Sequence, residues 1–157
     1  MYSVFQHWDP LKVCVIGKTY PPDFYDWIQD ANTRRRFEQL AEETEQDYQA
    51  LINLLQGKFG IRVLRPQLPE DPSELKCHGR WIAPPVAPRD FFVMVHDQLW
   101  IPKIPNRAHA RRAFADQNDL DLITFQAHDL DQHRAKLACY QNIFRDVADQ
   151  GNQLRYT

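Results

Sequence analysis

The tripeptide Pro88-Arg89-Asp90 has the residue types best suited to bind a ligand, and it leads straight into the apolar run Phe91–Val95. A carboxylate at the mouth of a buried strand, behind a proline-rich approach, is a fixed acceptor for a cation. A guanidinium fits best, because its planar fork of donors pairs bidentately with a carboxylate. The alternative for Asp90 is a hydrogen bond within the adjacent turn. For Arg89 we expect a structural role, holding the loop through backbone carbonyls, with ligand contact as the alternative.

A second set of candidate ligand-binding side chains is the arginine group Arg107, Arg111 and Arg112. Asn106 is expected to cap a helix that carries them through Phe114. Arginine recognises carboxylates and phosphates bidentately, so these residues could hold an anionic group of a substrate. The alternative is a solvated helix face. If one of the three binds a ligand, Arg107 is the best placed, at the first turn of the helix.

The three cysteines and six histidines are scattered and fit no metal-ligand spacing. We expect Cys14, in a strand, and Cys139, in a helix, to be packed thiols, because burial disfavours the reactive thiolate. Cys77 lies in a loop with His78 and Arg80 near it, which could lower its pKa. Side chains adjacent in sequence seldom face each other, however, so we expect this pairing to be incidental. With five glycines the chain also lacks a phosphate-binding loop, so we expect no cofactor and no metal.

The first half of the chain must position these groups through a strand, a helix and a second strand. Residues 12–17 predict a buried strand, and Asp23 is expected to cap a short helical turn. Asn32 is the expected N-cap of a long helix, which Gly57 and Gly60 should end before a strand at 61–64. One side of that helix is predicted to be apolar: Phe37, Leu40, Ala41, Thr44, Tyr48, Leu51 and Leu55.

The second half begins with six prolines between residues 66 and 88, which predict a long loop without regular structure. Loops of this length in compact domains tend to be functional. Residues 91–95 and 98–101 predict a hairpin, residues 122–125 a strand, and residues from about 129 to 150 a last helix that ends at Gly151. Strands and helices therefore interleave, which indicates an α/β fold.

The composition describes a single domain, residues 1–157, large enough to bury a core. A net charge of −2 gives no reason to expect nucleic acid as a partner. The basic run Arg34-Arg35-Arg36 is expected on a solvated helix face. No window is apolar over the ~20 residues that span a bilayer, and no signal peptide precedes the first strand, so we expect a cytoplasmic protein without a membrane partner.

Several segments, in order, resemble the N-terminal part of the glycine amidinotransferase family, within the guanidino-group-modifying (pentein) superfamily. They are His7–Leu11 with Val13–Gly17, Thr44–Asp47 with Leu51, Leu54 and Leu55, Gly60–Pro66, Pro88–Asp90 with its hairpin, and Arg107 with Arg111 and Arg112. The resemblance covers residues 3–114. Residues 115–157 offer no matching motif.

The resemblance implies a propeller built from ββαβ modules, of which this chain would supply about one blade and part of a second. Family members move an amidino group from arginine to an amine through a cysteine nucleophile, with a histidine as general acid and base and carboxylates that hold the guanidinium. The resemblance assigns Asp90 to those carboxylates and makes Arg107 and Arg89 further substrate-binding candidates. The family's central acid, histidine segment and cysteine have no equivalent in residues 115–157.

Three hypotheses follow from these patterns. The first is the guanidino-binding part of an amidinotransferase-like protein, with arginine or another guanidino compound as ligand. The second is a stand-alone, non-catalytic binding or interaction module on the same truncated fold. The third is a small enzyme that uses Cys77, a nearby histidine and Asp90. An incomplete propeller should leave an apolar edge uncovered, so self-association or a partner chain is expected there.

Overall fold

A computed structural model of the 157-residue chain describes residues 1–5, 10–77, 80–102 and 131–156. These residues form a mixed α/β fold, with a long helix beside small sheets of two and three strands. The described strands close into no barrel, and the propeller organisation stays a prediction. The predicted helix from Asn106, the strand at 122–125 and residues Arg107, Arg111 and Arg112 all lie outside the described residues.

The first layer is a parallel strand pair joined by a long helix. Strand β1 (Val13–Val15) pairs with β2 (Arg62–Leu64), with Cys14 opposite Val63. Helix α1 (Ala31–Phe59) makes the crossover that a parallel pair requires. Both strands were predicted, although each is shorter than its apolar run in the sequence.

Helix α1 differs from the prediction at its N-terminus and agrees with it in part at its C-terminus. Asp30, not Asn32, is the N-cap, and its side chain accepts a hydrogen bond from the Thr33 amide at 2.8 Å. Gly57 lies inside the helix, whereas Gly60 ends it in a left-handed conformation with φ 64°. Asp30 is preferred as a cap because its carboxylate reaches a free amide of the first turn. Among the described helices, none is both long and apolar enough to cross a membrane.

The apolar side predicted for α1 is only partly buried. The helix packs against β2 and against a 3-10 turn at Pro22–Trp27, and the residues that it buries are Ala41 and Ile52. On the predicted apolar side, Phe37, Leu40 and Leu51 remain largely exposed, although Phe37 stacks on Tyr25 at 5.5 Å between ring centres. The most deeply buried face is rotated toward Ala41 and Ile52. Within the 3-10 turn, Asp23 lies in the first turn and caps nothing; the N-cap position is Pro21.

The proline-rich segment is more ordered than its composition predicts. A 3-10 turn (Pro72–Leu75) leads into a two-residue strand β3 (Lys76–Cys77), which pairs antiparallel with β4 (Arg80–Trp81). Prolines bracket this hairpin rather than interrupt it. The prediction of an entirely irregular loop was therefore wrong for residues 72–77 and 80–81.

The second sheet has three strands in the order β5-β6-β7. Strand β5 (Val93–Val95) and β6 (Gln98–Ile101) form the predicted hairpin, and β7 (Gln153–Tyr156) adds a parallel edge that was not predicted. The hairpin turns at His96, which has φ 55°. Phe91 and Phe92 precede β5 instead of lying within it, so the strand is shorter than the apolar run.

The predicted last helix is divided into two. Residues 131–138 are helical, the chain turns at Cys139 and Tyr140, and helix α2 covers Gln141–Asp149. One core cluster joins the second sheet to this helix and consists of Leu99, Ile101, Tyr140, Ile143, Phe144 and Val147. A second cluster contains Tyr20, Leu75, Ile82 and Cys139.

Tyr2 is tied to Asn152 across almost the whole length of the sequence. The Tyr2 amide donates to Asn152 Oδ1 at 2.8 Å, and Asn152 Nδ2 donates to the Tyr2 and Asp97 carbonyls at 2.6 and 2.8 Å. The Tyr2 hydroxyl donates to Asp146 at 2.8 Å, and Arg62 contacts both the Tyr2 hydroxyl and the Asp146 carboxylate. These hydrogen bonds and the Arg62–Asp146 ion pair join β2, α2 and the N-terminal segment.

Candidate functional site

Asp90 lies on an exposed 3-10 turn, Pro88–Asp90. The turn is closed by backbone hydrogen bonds from the Asp90 amide to Ala87 O at 3.1 Å and from the Phe91 amide to Pro88 O at 2.9 Å. The Asp90 side chain is 54% exposed and its charged neighbour is Arg89, with Arg89 Nε 3.9 Å from Asp90 Oδ1. The carboxylate is thus not used to cap its own turn and keeps its acceptor capacity.

Arg89 differs from its expected structural role. Its side chain is 93% exposed, and its only interaction with a described residue is the distant contact with Asp90. An exposed ion pair of this length contributes little to stability. Among the described residues, Arg89 therefore makes no hydrogen bond to the loop carbonyls that it was expected to hold.

The segment before the turn is fixed to the rest of the fold by backbone contacts. The Lys18 amide donates to Pro85 O at 3.0 Å, and the Tyr48 hydroxyl of α1 donates to Val86 O at 3.1 Å. Gly17 lies against Val86 so closely that a Cβ there would be 2.2 Å from the Val86 carbonyl oxygen. The side chain of Pro85 is fully buried. These contacts place the Asp90 turn at a defined position beside the end of β1.

An ion pair beneath this segment holds β1 to α1. The Arg65 guanidinium pairs with both oxygens of Glu45, with Nη2 2.9 Å from Oε2, and it also donates to the Gly17 carbonyl at 2.6 and 3.2 Å. The same guanidinium lies 5.6 Å from the centre of the Tyr48 ring. The Arg65 hydrogen bonds hold the pKa of Glu45 below its ordinary value, because they stabilise the ionised carboxylate more than partial burial disfavours it.

Aromatic side chains support the turn from its other end. Phe91 stacks on His133 at 5.7 Å and packs on Tyr140 at 5.4 Å between ring centres. His133 is buried and has a ring nitrogen 2.8 Å from Pro102 O, which fixes that nitrogen as the donor. Lys136 Nζ lies 5.8 Å from the Phe91 ring centre. The residue after Asp90 is thereby anchored in the core that α2 shares with the second sheet.

The charge of Asp90 acts on Tyr140. Its hydroxyl is buried and has no hydrogen-bond partner among the described residues. Burial raises the pKa of Tyr140, and the charges of Cys139, Asp90 and Tyr48 raise it further. The tyrosine is therefore neutral at physiological pH and adds no charge beside the Asp90 carboxylate.

The described cysteines have the character of packed thiols. Cys139 is buried and Cys14 half-buried, and burial raises the pKa of both. A raised pKa keeps a thiol protonated and weakly nucleophilic. Within residues 1–5, 10–77, 80–102 and 131–156, no cluster of three or more histidine, cysteine or acidic side chains has the geometry of a metal site.

A cavity of about 760 Å³ is lined in part by Glu45 of the Arg65–Glu45 pair. Its walls are the segment 18–22 and the α1 residues Ala41, Glu42, Glu45, Gln46 and Gln49. Asp90 is not among its lining residues. Arg65, Gly17, Tyr48 and His133 were not predicted as site residues, and the only sequence signal for them was their presence within or beside the motifs.

No protein-family model matches this chain, and no curated protein matches it. Solved structures do. The amidinotransferase SxtG of the saxitoxin biosynthetic pathway from Microseira wollei superposes with a TM-score of 0.58 at 11% sequence identity, over 99% of this chain and 41% of that enzyme. Inosamine-phosphate amidinotransferase from Streptomyces griseus superposes with a TM-score of 0.56 at 16% identity, over 99% of this chain and 42% of that enzyme.

The structural likeness defines a fold class: this chain has the fold of one part of the amidinotransferases. It spans about two-fifths of the length of the two enzymes. The likeness extends through α2 and β7, where the sequence offered no matching motif. At these identities it is a likeness of fold and leaves membership of the glycine amidinotransferase family unconfirmed.

Proposed function

We propose that this chain is an amidinotransferase-like module that binds a guanidino group through Asp90. The observation that carries the proposal is the superposition of 99% of the chain on two amidinotransferases. The Asp90 turn supplies the chemistry, since a half-exposed carboxylate on an anchored turn is a ready acceptor for a planar guanidinium. Arginine or another guanidino compound is the proposed ligand, and the pentein propeller is the proposed larger architecture.

The geometry around Asp90 supports recognition of a cation. Arg89 is 3.9 Å from the carboxylate and almost fully exposed, so a ligand guanidinium can replace it at little cost. Arg89 then becomes available, together with Arg107, for an anionic group of the ligand, such as the carboxylate of arginine. This assignment of Arg107 rests on the sequence resemblance.

We propose that the module binds substrate and does not by itself carry out amidino transfer. The covalent route needs a nucleophilic thiolate and a general acid and base. Cys14 and Cys139 are protonated packed thiols, and the described histidine of the core, His133, donates to a carbonyl. The third hypothesis, a small enzyme using Cys77, stays a prediction, because the Cys77 side chain and His78 lie outside what the structure describes.

A second candidate function is that of a stand-alone, non-catalytic binding or interaction module on a truncated pentein fold. The observation that favours it is the outer face of the second sheet, where Val93, Val95 and Trp100 are exposed on the side away from α2. Apolar residues clustered on an exposed sheet face mark an interaction surface. A partner chain or self-association at this sheet face is the corresponding proposal.

Calorimetric titration with arginine and with guanidinoacetate tests the first candidate. We expect binding to the parent protein and its loss in Asp90→Asn, which keeps the size of the side chain and removes its charge. Asp23→Asn is the matched control, because Asp23 is also an exposed aspartate in a 3-10 turn. No heat with either ligand in the parent, or equal binding by Asp90→Asn, would overturn the guanidino-binding proposal and leave the interaction module.

A further inference from the structure

Helix α1 carries an exposed stripe of large apolar side chains beside the face that it buries. Phe37, Leu40, Leu51 and Leu54 are 45%, 59%, 43% and 46% exposed. Single exposed leucines are ordinary on protein surfaces, whereas a row of four large apolar side chains along one helix is a candidate interaction surface. We call these four residues the α1 stripe.

The α1 stripe has the spacing of a coiled-coil seam. Its four members, together with Thr44 and Asp47 between them, follow alternating steps of three and four residues, at positions 37, 40, 44, 47, 51 and 54. This alternation keeps a row of side chains on one line of the helix and is the pattern that packs against another helix. The seam runs for about 26 Å along the axis at 1.5 Å per residue.

The stripe also reads the same from either end: two apolar residues, two polar residues, two apolar residues. A second copy running antiparallel therefore meets it in register. Phe37 would face Leu54 of the other copy, Leu40 would face Leu51, and Thr44 would face Asp47. Such self-complementarity is what a two-fold interface between identical chains requires.

The flank of the stripe favours close approach of two such helices. Ala50 and Gly57 are small, and a Cβ built on Gly57 would meet no atom within 4 Å. In the antiparallel register Arg36 comes beside Gly57 of the other copy, near the C-terminal end of that helix. A cation is stabilised there by the partial negative charge of the last carbonyls.

We propose that two copies of this chain form an antiparallel, two-fold dimer through the α1 stripe. This surface is separate from the Asp90 turn, so the inference is independent of guanidino binding. The central Thr44–Asp47 layers fix the register at a cost in affinity, as polar residues within a seam do. The Thr44 hydroxyl, which donates to Leu40 O at 2.7 Å, can turn to the Asp47 carboxylate of the other copy.

Sedimentation velocity of the full chain over a range of concentrations tests the dimer. We expect reversible dimerisation of the parent and at least a tenfold rise in the dimer Kd for Leu40→Lys and for Leu51→Glu. Leu11→Lys is the matched control, because Leu11 is a comparably exposed leucine outside the stripe. Far-UV circular dichroism checks that each variant remains folded.

The double variant Leu40→Lys, Leu51→Glu tests the antiparallel register itself. In the proposed dimer each new lysine faces a new glutamate, so we expect the double variant to dimerise better than either single variant. In a parallel pair, lysine would face lysine and the dimer would stay broken. A parent that remains monomeric at every concentration, a control that weakens the dimer equally, or a double variant that fails to recover would each overturn the proposal.

Discussion

Gly17 and Val86 approach each other so closely that a Cβ at residue 17 would lie 2.2 Å from the Val86 carbonyl oxygen. The obstacle is backbone, which cannot rotate out of the way as a side-chain tip can. The contact locks the segment before Asp90 against the end of β1. Gly17 is therefore required by space and not by an unusual backbone conformation.

We expect Gly17→Ala to lower the free energy of unfolding by roughly 1–3 kcal/mol, the usual cost of forcing an extra group into a packed site. Urea denaturation measures it. Gly57→Ala is the control, since that glycine is helical with open space around it, and we expect it to raise stability by about 0.5–1 kcal/mol. Equal effects from the two substitutions would mean that the Gly17–Val86 contact does not hold in solution.

The Arg65–Glu45 pair depends on the shape of the guanidinium. Arg65→Lys keeps the charge but loses the simultaneous hydrogen bonds to Glu45 and to the Gly17 carbonyl, so we expect a loss of about 1 kcal/mol. A double-mutant cycle with Glu45→Gln separates the pair from its surroundings. If Arg65→Lys is as stable as the parent, the bidentate geometry contributes nothing to the free energy of unfolding.

The pH dependence of stability should reflect the ionisation of Glu45. The pKa of Glu45 is lowered in the folded protein, so its contribution is present above the ordinary pKa of 4.5 and is lost as the pH falls through the lower folded value. We expect the parent to lose more stability than Glu45→Gln between about pH 5 and pH 3. Parallel curves for the two proteins would contradict the assignment.

Two buried tyrosines should respond differently to loss of their hydroxyl groups. Tyr20 donates to the Ile82 carbonyl at 2.9 Å, whereas the Tyr140 hydroxyl has no partner among the described residues. We expect Tyr20→Phe to cost roughly 1 kcal/mol and Tyr140→Phe to be neutral or stabilising. Thermal unfolding of the two variants checks this, and a clear loss in Tyr140→Phe would reveal a hydrogen bond to that hydroxyl.

Substitutions at Asp30 and Asn32 test which of these residues is the N-cap of α1. We expect Asp30→Ala to lower the melting temperature, since it removes the acceptor for the Thr33 amide. Asn32→Ala should leave it unchanged or raise it, because Asn32 lies within the first turn and alanine is the better helix former. The reverse order would place the cap at Asn32.

The sequence was sufficient for the elements whose pattern is local. Strands β1 and β2, the long helix between them and the β5–β6 hairpin follow from apolar runs and turn residues. Strand β7 was missed because Gln153–Tyr156 is only four residues long, and Leu154 and Tyr156 give too short an alternation to indicate a strand alone. The strand is held by pairing with β6, and pairing partners cannot be read from one segment.

The residues that hold the Asp90 turn in place were less predictable than Asp90 itself. Asp90 was chosen from its neighbours in sequence, but the groups that fix its turn come from distant segments: Gly17, Tyr48 and His133. Their roles depend on a backbone contact, a hydrogen bond to a carbonyl and a ring stack. None of these interactions produces a periodic pattern in the sequence. The prediction for the apolar side of α1 was incomplete for a related reason. Composition does not say which part of an apolar helix surface is covered by a neighbouring element.

The pairing of Tyr2 with Asn152 has a consequence for synthesis of the chain. Asn152 also bonds the Asp97 carbonyl, and β7 completes the sheet begun by the β5–β6 hairpin. The ribosome must therefore add 55 residues after Asp97 before the Asn152 hydrogen bond to Asp97 can form. At about 5–20 residues per second, the β5–β6 hairpin and the N-terminal segment remain without β7 and Asn152 for roughly 3–10 s.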